Sequence, residues 1–251
     1  MCFTVAILRE GVLMTAEDYY ASLPIDRKKN KFPTIPEFPN MYMAYGFDNP
    51  DLPILTDKGL TLNKWGLIPS WTHDLMAAKA IRNKTLNAKG ETIFELPSFR
   101  NNIINHRCIL PVTGFYENQD FNAVKYPYYI QSSISPCFYI GAIYDTWINN
   151  QNGETINSFS IITTAANPLL ETIHNTKKRM PLILNKNDAQ IWLDTEMTKK
   201  EHIIQLIKPY DEQFMKAHTI SKFAVNPHNN RNIPEITKEA YYPELTQQTL
   251  F

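Results

Sequence analysis

Arg107-Cys108-Ile109-Leu110-Pro111-Val112-Thr113-Gly114-Phe115-Tyr116-Glu117 is an apolar run that ends on a carboxylate. Over Cys108 to Tyr116 it reads as a β-strand, since β-branched and aromatic residues fit a pleated, half-buried chain. Downstream, Tyr126 to Gln131, Phe138 to Trp147 and Ile156 to Thr164 read the same way, as do Pro181 to Leu184 and Phe214 to Ala224. Upstream, so do Cys2 to Leu8, Met41 to Phe47 and Leu60 to Leu67. Helical patterns are fewer. One starts near Thr15 with Asp18 at a capping-box position, and others span Asp74 to Asn83, Asn187 to Leu193 and Lys199 to Ile207. Strands come in blocks and do not alternate strictly with helices. This predicts an α+β fold: a single domain over residues 1–251, with a mixed or antiparallel, barrel-like sheet core flanked by a few helices.

The chain has 251 residues, 43% of them hydrophobic, which suffices for a substantial core. Phe32-Pro33-Thr34-Ile35-Pro36-Glu37-Phe38-Pro39 must be extended or turning, and reads as a surface loop within the domain. No apolar run is long enough to span a membrane, and Arg9 and Glu10 interrupt the first apolar stretch, which excludes a signal peptide. Cys2, Cys108 and Cys137 show no paired framework and no metal-type spacing, so reduced thiols in the cytoplasm are expected. The six histidines have no metal-ligand spacing either, and no metal or cofactor is expected. Lys plus Arg and Asp plus Glu number 25 each, which argues against an indiscriminate nucleic-acid binder. Three stretches are nevertheless basic: Arg27 to Lys31, Lys79 through Arg82 and Lys84 to Lys89, and Lys177 to Arg179. Each alone reads as a solvated face; together they build a positive strip if the fold sets them on one side.

Cys2 stands directly behind Met1. Removal of Met1 exposes an α-amine beside a thiol. The amine can condense with an aldehyde, and the thiol can then close a five-membered thiazolidine ring. An α-amine has a reference pKa of about 7.7–8.0, against about 10.4 for lysine, so roughly a tenth of it is neutral at pH 7. The plainer reading of Cys2 is a small apolar side chain in the first strand. Glu117 shares a strand face with Phe115 and Thr113 by period-2 alternation, and a carboxyl among apolar neighbours is a proton donor near neutrality. A strand-end glutamate facing solvent is the alternative. His174 precedes the apolar run from Met180, a place suited to acid–base work or to a structural role. Asn87 orients a substrate oxygen or merely makes a turn. Trp65-Gly66-Leu67-Ile68-Pro69-Ser70-Trp71 offers aromatic rings for stacking on bases or for the core.

Taken in order, these segments resemble the SRAP family (SOS-response-associated peptidase). The resemblance runs from Cys2 to about Pro234. It rests on Met1-Cys2, Trp65 to Trp71, Asn87-Ala88-Lys89-Gly90-Glu91-Thr92, Arg107 to Pro111 with Gly114 to Glu117, Thr163-Thr164-Ala165-Ala166, and Ile173-His174 with Arg179-Met180-Pro181. It implies a DNA-damage protein of the cytoplasm, monomeric and without a membrane partner, that bonds covalently to abasic sites in single-stranded DNA through Cys2. It implies catalytic roles for Cys2, for Asn87 at the N-terminus or sugar, for Glu117 in ring opening and proton transfer, and for His174 as acid–base. It places Trp65, Gly66, Lys89, Thr164 and Arg179 along the DNA track, and it implies lyase-type and self-processing peptidase activity. The chain departs from the family pattern where Phe3 and Thr4 replace Gly-Arg, where Lys89 replaces arginine, at Asn118, and in a longer loop from Asn175 to Lys178.

Two other classes compete. An N-terminal-nucleophile amidohydrolase uses the Cys2 thiolate on an amide. A non-covalent single-strand binder keeps Cys2 only as core, and binds unchanged when Cys2 becomes alanine.

Overall fold

A computed structural model describes residues 2–22 and 36–246 of the protein. The basic stretch Arg27 to Lys31 and the Pro-rich segment up to residue 35 lie outside these residues. Strand β1 (Thr4–Ile7) leads into helix α1 (Arg9–Ser22). Then come β2 (Met41–Tyr45), β3 (Asp51–Thr56), β4 (Gly59–Trp65), α2 (Leu75–Arg82), β5 (Asn87–Lys89) and α3 (Asn102–Asn105). A block of strands follows: β6 (Arg107–Val112), β7 (Gly114–Phe121), β8 (Val124–Ser132), β9 (Phe138–Ile148) and β10 (Thr155–Ala165). After it stand α4 (Pro168–Ile173), β11 (Arg179–Pro181), β12 (Ile183–Leu184), α5 (Lys186–Leu193), α6 (Lys200–Leu206), β13 (Met215–Thr219) and α7 (Pro243–Thr246).

The strands form two sheets. One is antiparallel throughout, in the order β13-β8-β7-β1-β2. The other is mixed. Its path β10-β4-β3-β6-β9 closes on itself, because β9 also pairs with β10 from Ile148↔Thr155 to Ala142↔Ile161. The parallel pairings β10–β4 and β10–β5 make this barrel mixed. Closure removes the open sheet edges that would otherwise invite pairing with another chain. Leu55, Ile109, Ile140 and Ile161, all fully buried, belong to the large core cluster, which also takes in Cys2, Phe115 and Ile173. The fold class is the one read from the blocks of strands.

Several element boundaries differ from the sequence reading. The run Cys108 to Tyr116 is two strands, not one. Thr113 breaks it: its N–H and hydroxyl both donate to Ala6 O, and its hydroxyl oxygen accepts from the N–H of Leu8. These bonds hand the chain from the barrel (β6) to the antiparallel sheet (β7). Phe115 and Glu117 therefore share a face of β7, and Thr113 does not belong to it. Gly114, the first residue of β7, permits the handover, since a Cβ there would lie 2.3 Å from the Tyr129 ring.

The first helix begins at Arg9, not near Thr15. Thr15 is buried inside it, and the Arg9 N–H is satisfied by the side chain of Asn40, 31 residues away. Strand β3, which holds Pro53, is absent from the sequence reading. Proline is tolerated there because β6 meets β3 only at Leu55↔Ile109, away from Pro53. The run Pro181 to Leu184 splits into β11 and β12 as the chain leaves β10 for β9. The last strand stops at Thr219, where Ile220 bridges to Glu239 instead.

Candidate active site around Cys2

Cys2 lies just ahead of β1. Strand β1 pairs with β7 at Val5↔Phe115 and Ala6↔Gly114. This pairing brings the start of the chain to β7, close enough for the Glu117 carboxyl to act on Cys2. The Cys2 side chain is fully buried, and among the described residues its Sγ makes a weak hydrogen bond to Thr4 O at 3.9 Å. Burial, reinforced by the nearby Glu117 carboxyl, pushes the thiol far above its ordinary range. The thiol is therefore neutral at physiological pH.

Glu117 is 7% exposed, in the middle of β7 opposite Tyr128. Burial pushes its carboxyl up to about 8, against smaller opposing pulls that include Lys177 and the Asn118 N–H. His174 sits 3.7 Å away, from Nδ1 to Glu117 Oε1, and is equally secluded. Burial holds the imidazole below its usual range, outweighing the Arg179 carbonyl that accepts from Nδ1 at 2.9 Å. Both groups move toward their neutral forms, so at pH 7 they form a carboxylic acid beside a neutral imidazole rather than an ion pair. With Nδ1 donating to the carbonyl, Nε2 is the nitrogen that accepts a proton.

The loop after His174 holds the two elements together. Asn175 donates to Asp120 O at 2.8 Å and accepts from Asp120 N–H at 3.1 Å, which fastens the loop to β7. Lys178 turns in the left-handed region, with φ 48°, and leads into β11. His174 itself ends α4, a helix the sequence reading missed. Its signal was present in Asn167-Pro168: the Asn167 side chain accepts from Leu170 N–H at 2.9 Å, and Pro168 fills the first turn.

Asn87 opens β5, opposite Ile161 of β10. Both polar atoms of its amide are buried without a hydrogen-bond partner among the described residues. A buried amide in that state is costly, and it leaves both atoms able to bond a group from outside the protein. Trp65 holds this strand in place. Its indole donates to Leu86 O at 2.9 Å and its ring stacks on Phe159. Trp65 is fully buried and so presents no face to a base. Gly66 is required by the backbone: its φ is +111°, and a Cβ would lie 2.8 Å from Arg82 O.

The structure brings two of the basic stretches together across β10, where Lys89 pairs with Thr163 and Arg179 with Ala165. Lys89 is exposed. Arg179 is not free: it makes a bidentate pair with Glu91 and donates to Thr163 O at 2.8 Å. That pairing also holds the Glu91 carboxyl below its usual range. Thr164 is buried. Glu91 and Thr163, which orient Arg179, were assigned no role from sequence, nor was Lys177. The three cysteines are all free and buried, and no metal-holding cluster occurs among the described residues. No helix among them is long and apolar enough to cross a membrane.

A buried cysteine just ahead of β1, a protonated carboxyl on β7 and a neutral imidazole at the end of α4 make a cysteine-centred site on the antiparallel sheet. The family model for SOS response associated peptidase (SRAP) matches residues 29–227, and the chain belongs to that family. It is 36% identical over 168 residues to the abasic site processing protein YoqW of Bacillus subtilis (strain 168), spanning 66% of this chain and 71% of the relative. It is 29% identical over 194 residues to the abasic site processing protein HMCES of Xenopus tropicalis, spanning 70% of this chain and 56% of that protein. A crystal structure of a protein from Bacteroides thetaiotaomicron superposes with a TM-score of 0.84 at 35% identity, over 96% of this chain and all of that one.

Proposed function

We propose that the protein processes abasic sites in single-stranded DNA by bonding to them covalently through Cys2. The observation that carries this reading is a buried Cys2 close to a buried carboxyl that is protonated near neutrality. The naming of the YoqW and HMCES relatives as abasic site processing proteins supports the substrate.

In this reading Met1 is first removed. The abasic sugar opens to its aldehyde, and the neutral Cys2 amine adds to the carbonyl carbon. Glu117 gives its proton to the departing oxygen, which leaves as water, and a protonated imine (iminium) forms. The Cys2 thiol then adds to the iminium carbon, its proton passing to the Glu117 carboxylate and the C=N electron pair returning to nitrogen, which becomes the ring amine. One water is lost overall, and the thiazolidine closes with Glu117 restored to its acid form. Asn87 directs its unpaired amide at the sugar, and His174 assists proton transfer through Nε2. Lys89 meets phosphate as an exposed cation. Trp65, Gly66 and Thr164 shape the track from beneath, and Arg179 serves it as a residue tethered to Glu91.

Burial of the Cys2 thiol argues against the amidohydrolase reading, which needs a thiolate. The test is the intact mass of the protein after mixing with an abasic oligonucleotide. The expected product weighs the sum of the two less one water, survives heating without a reductant, and is absent for Cys2→Ala. A heat-stable adduct on Cys2→Ala, or on a chain with a verified uncleaved extension ahead of Cys2, overturns the mechanism.

A further inference from the structure

A cavity of about 280 Å³ opens beside the site, with Glu117 in its wall together with Phe3, Thr4, Tyr45 and Arg231. Phe47 is 39% exposed and lies against two of these rings, 5.0 Å from Phe3 and 5.3 Å from Tyr45 between centroids. The Arg231 guanidinium covers the other side, 5.0 Å from the Tyr45 ring centre. The backbone holds this group together. Gly46 N–H donates to Phe3 O at 2.8 Å, so the turn that carries Phe47 is tied to the residue after Cys2. Asn232 accepts from Tyr42 N–H at 2.7 Å, which lays the Arg231 segment along the edge of β2.

The charges around the cavity do not cancel. Lys125, the second cation in the wall, pairs with Asp120 at 3.1 Å. Arg231 has no carboxylate partner among the described residues; its one recorded hydrogen bond is a long one, 3.5 Å to Ala224 O. With Glu117 neutral at pH 7, the cavity carries one uncompensated positive charge beside a row of aromatic rings. Aromatic faces take bases of any sequence, and a guanidinium fits a phosphate bidentately. Arg231 lies beyond the residues that the family model matches.

We infer that Phe3, Tyr45, Phe47 and Arg231 form a subsite for the nucleotide that flanks the abasic residue, its base stacked on the rings and its phosphate held by Arg231. This rests on the reading of single-stranded abasic DNA as substrate. The subsite fixes the strand at one neighbour of the lesion and so sets the register in which the sugar meets Cys2.

The experiment measures binding apart from bonding. The probes are fluorescent single-stranded oligonucleotides with a tetrahydrofuran in place of the abasic sugar, which cannot open to an aldehyde. One carries nucleotides on both sides of the tetrahydrofuran, one lacks those on the 5′ side, and one lacks those on the 3′ side. For Arg231→Gln the salt slope of binding to the full probe is expected to fall by about 0.7, and Arg231→Lys should restore it. Phe47→Ala is expected to weaken binding at least about fivefold. Both losses should vanish on one of the two truncated probes, which identifies the side that the subsite reads. A merely structural Arg231 would not change the salt slope or the dependence on one neighbour. Wild-type affinity and salt slope in Arg231→Gln and Phe47→Ala on all three probes overturn the subsite. If Arg231→Gln does not fold, Phe47→Ala and Arg231→Lys decide. A wild-type protein that binds these probes but forms no adduct with true abasic DNA refutes the covalent mechanism and leaves the subsite to its own test. One that binds none of them refutes both.

Discussion

Glu117 and His174 lie 3.7 Å apart, and burial moves both toward their uncharged forms. For Glu117 the consequence for stability has a definite sign. Its folded carboxyl titrates at about 8, while the unfolded one titrates near its ordinary value of 4.5. Between those values the folded chain binds more protons than the unfolded chain, so stability falls as pH rises, by at most about 1.4 kcal/mol per pH unit. Glu117→Gln is expected to flatten that slope between roughly pH 5 and 8 in chemical denaturation. The same variant should slow single-turnover crosslinking by about 10²–10⁴-fold with little effect on initial binding. A wild-type rate in Glu117→Gln would remove the carboxyl from the chemistry. Asn87 tests the opposite trade. Asn87→Leu replaces two buried, unpartnered polar atoms with apolar ones of similar volume, so it should leave stability unchanged or raise it by about 1 kcal/mol. Crosslinking should slow. A stabilised variant that reacts at the wild-type rate would make Asn87 structural only.

Helix α4 is the element on which the site depends most. It is a short helix that ends at His174, and Asn167 holds both its start and its place. The Asn167 side chain caps Leu170 N–H and donates to Tyr210 O at 2.8 Å. Asn167→Ala is expected to cost about 1–2 kcal/mol in thermal or chemical unfolding. It should also lower the crosslinking rate, because the imidazole loses its rigid seat against Glu117. Asn167→Asp keeps the cap but loses the bonds to Tyr210 O and Met215 Sδ and buries a carboxylate, so it should recover only part of the stability. An Asn167→Ala variant with unchanged rate would mean that the loop clamp, Asn175 on Asp120, positions His174 without the helix.

Across the whole molecule the charge sums to zero, yet two exposed basic segments meet along β10. Single-strand binding should therefore have a shallow salt slope, set by few phosphate contacts. Neutralising Lys89 is expected to reduce the slope by about 0.7. Neutralising Arg179 should change it less, since Glu91 already offsets that charge, whereas Glu91→Gln should steepen the slope by freeing the guanidinium. Equal effects of Lys89→Gln and Arg179→Gln, read from affinities at several salt concentrations, would show that Glu91 releases Arg179 when DNA arrives.

The sequence by itself determined the strand-rich, barrel-like class, because alternating and β-branched runs report burial locally. It also offered a reading of Cys2, since removal of Met1 would set an amine beside the thiol on one residue. Period-2 alternation set Glu117 on a face with Phe115, as β7 has it, but also with Thr113, which lies outside that strand. Only the tertiary structure decided what depends on residues far apart. Thr113 breaks a continuous apolar run because Ala6, 107 positions away, accepts its hydroxyl. Helix α1 starts early because Asn40 supplies the acceptor that the local sequence lacks. Trp65 lies inside rather than along a binding surface, because Leu86 and Phe159 complete its surroundings. Arg179 is restrained because Glu91 arrives from the turn after β5, and Arg231 reaches the cavity beside Cys2 from the opposite end of the chain. A chain pattern carries the periodicity of its own element. Hydrogen-bond partners, burial and charge compensation are properties of neighbours that only folding brings into contact.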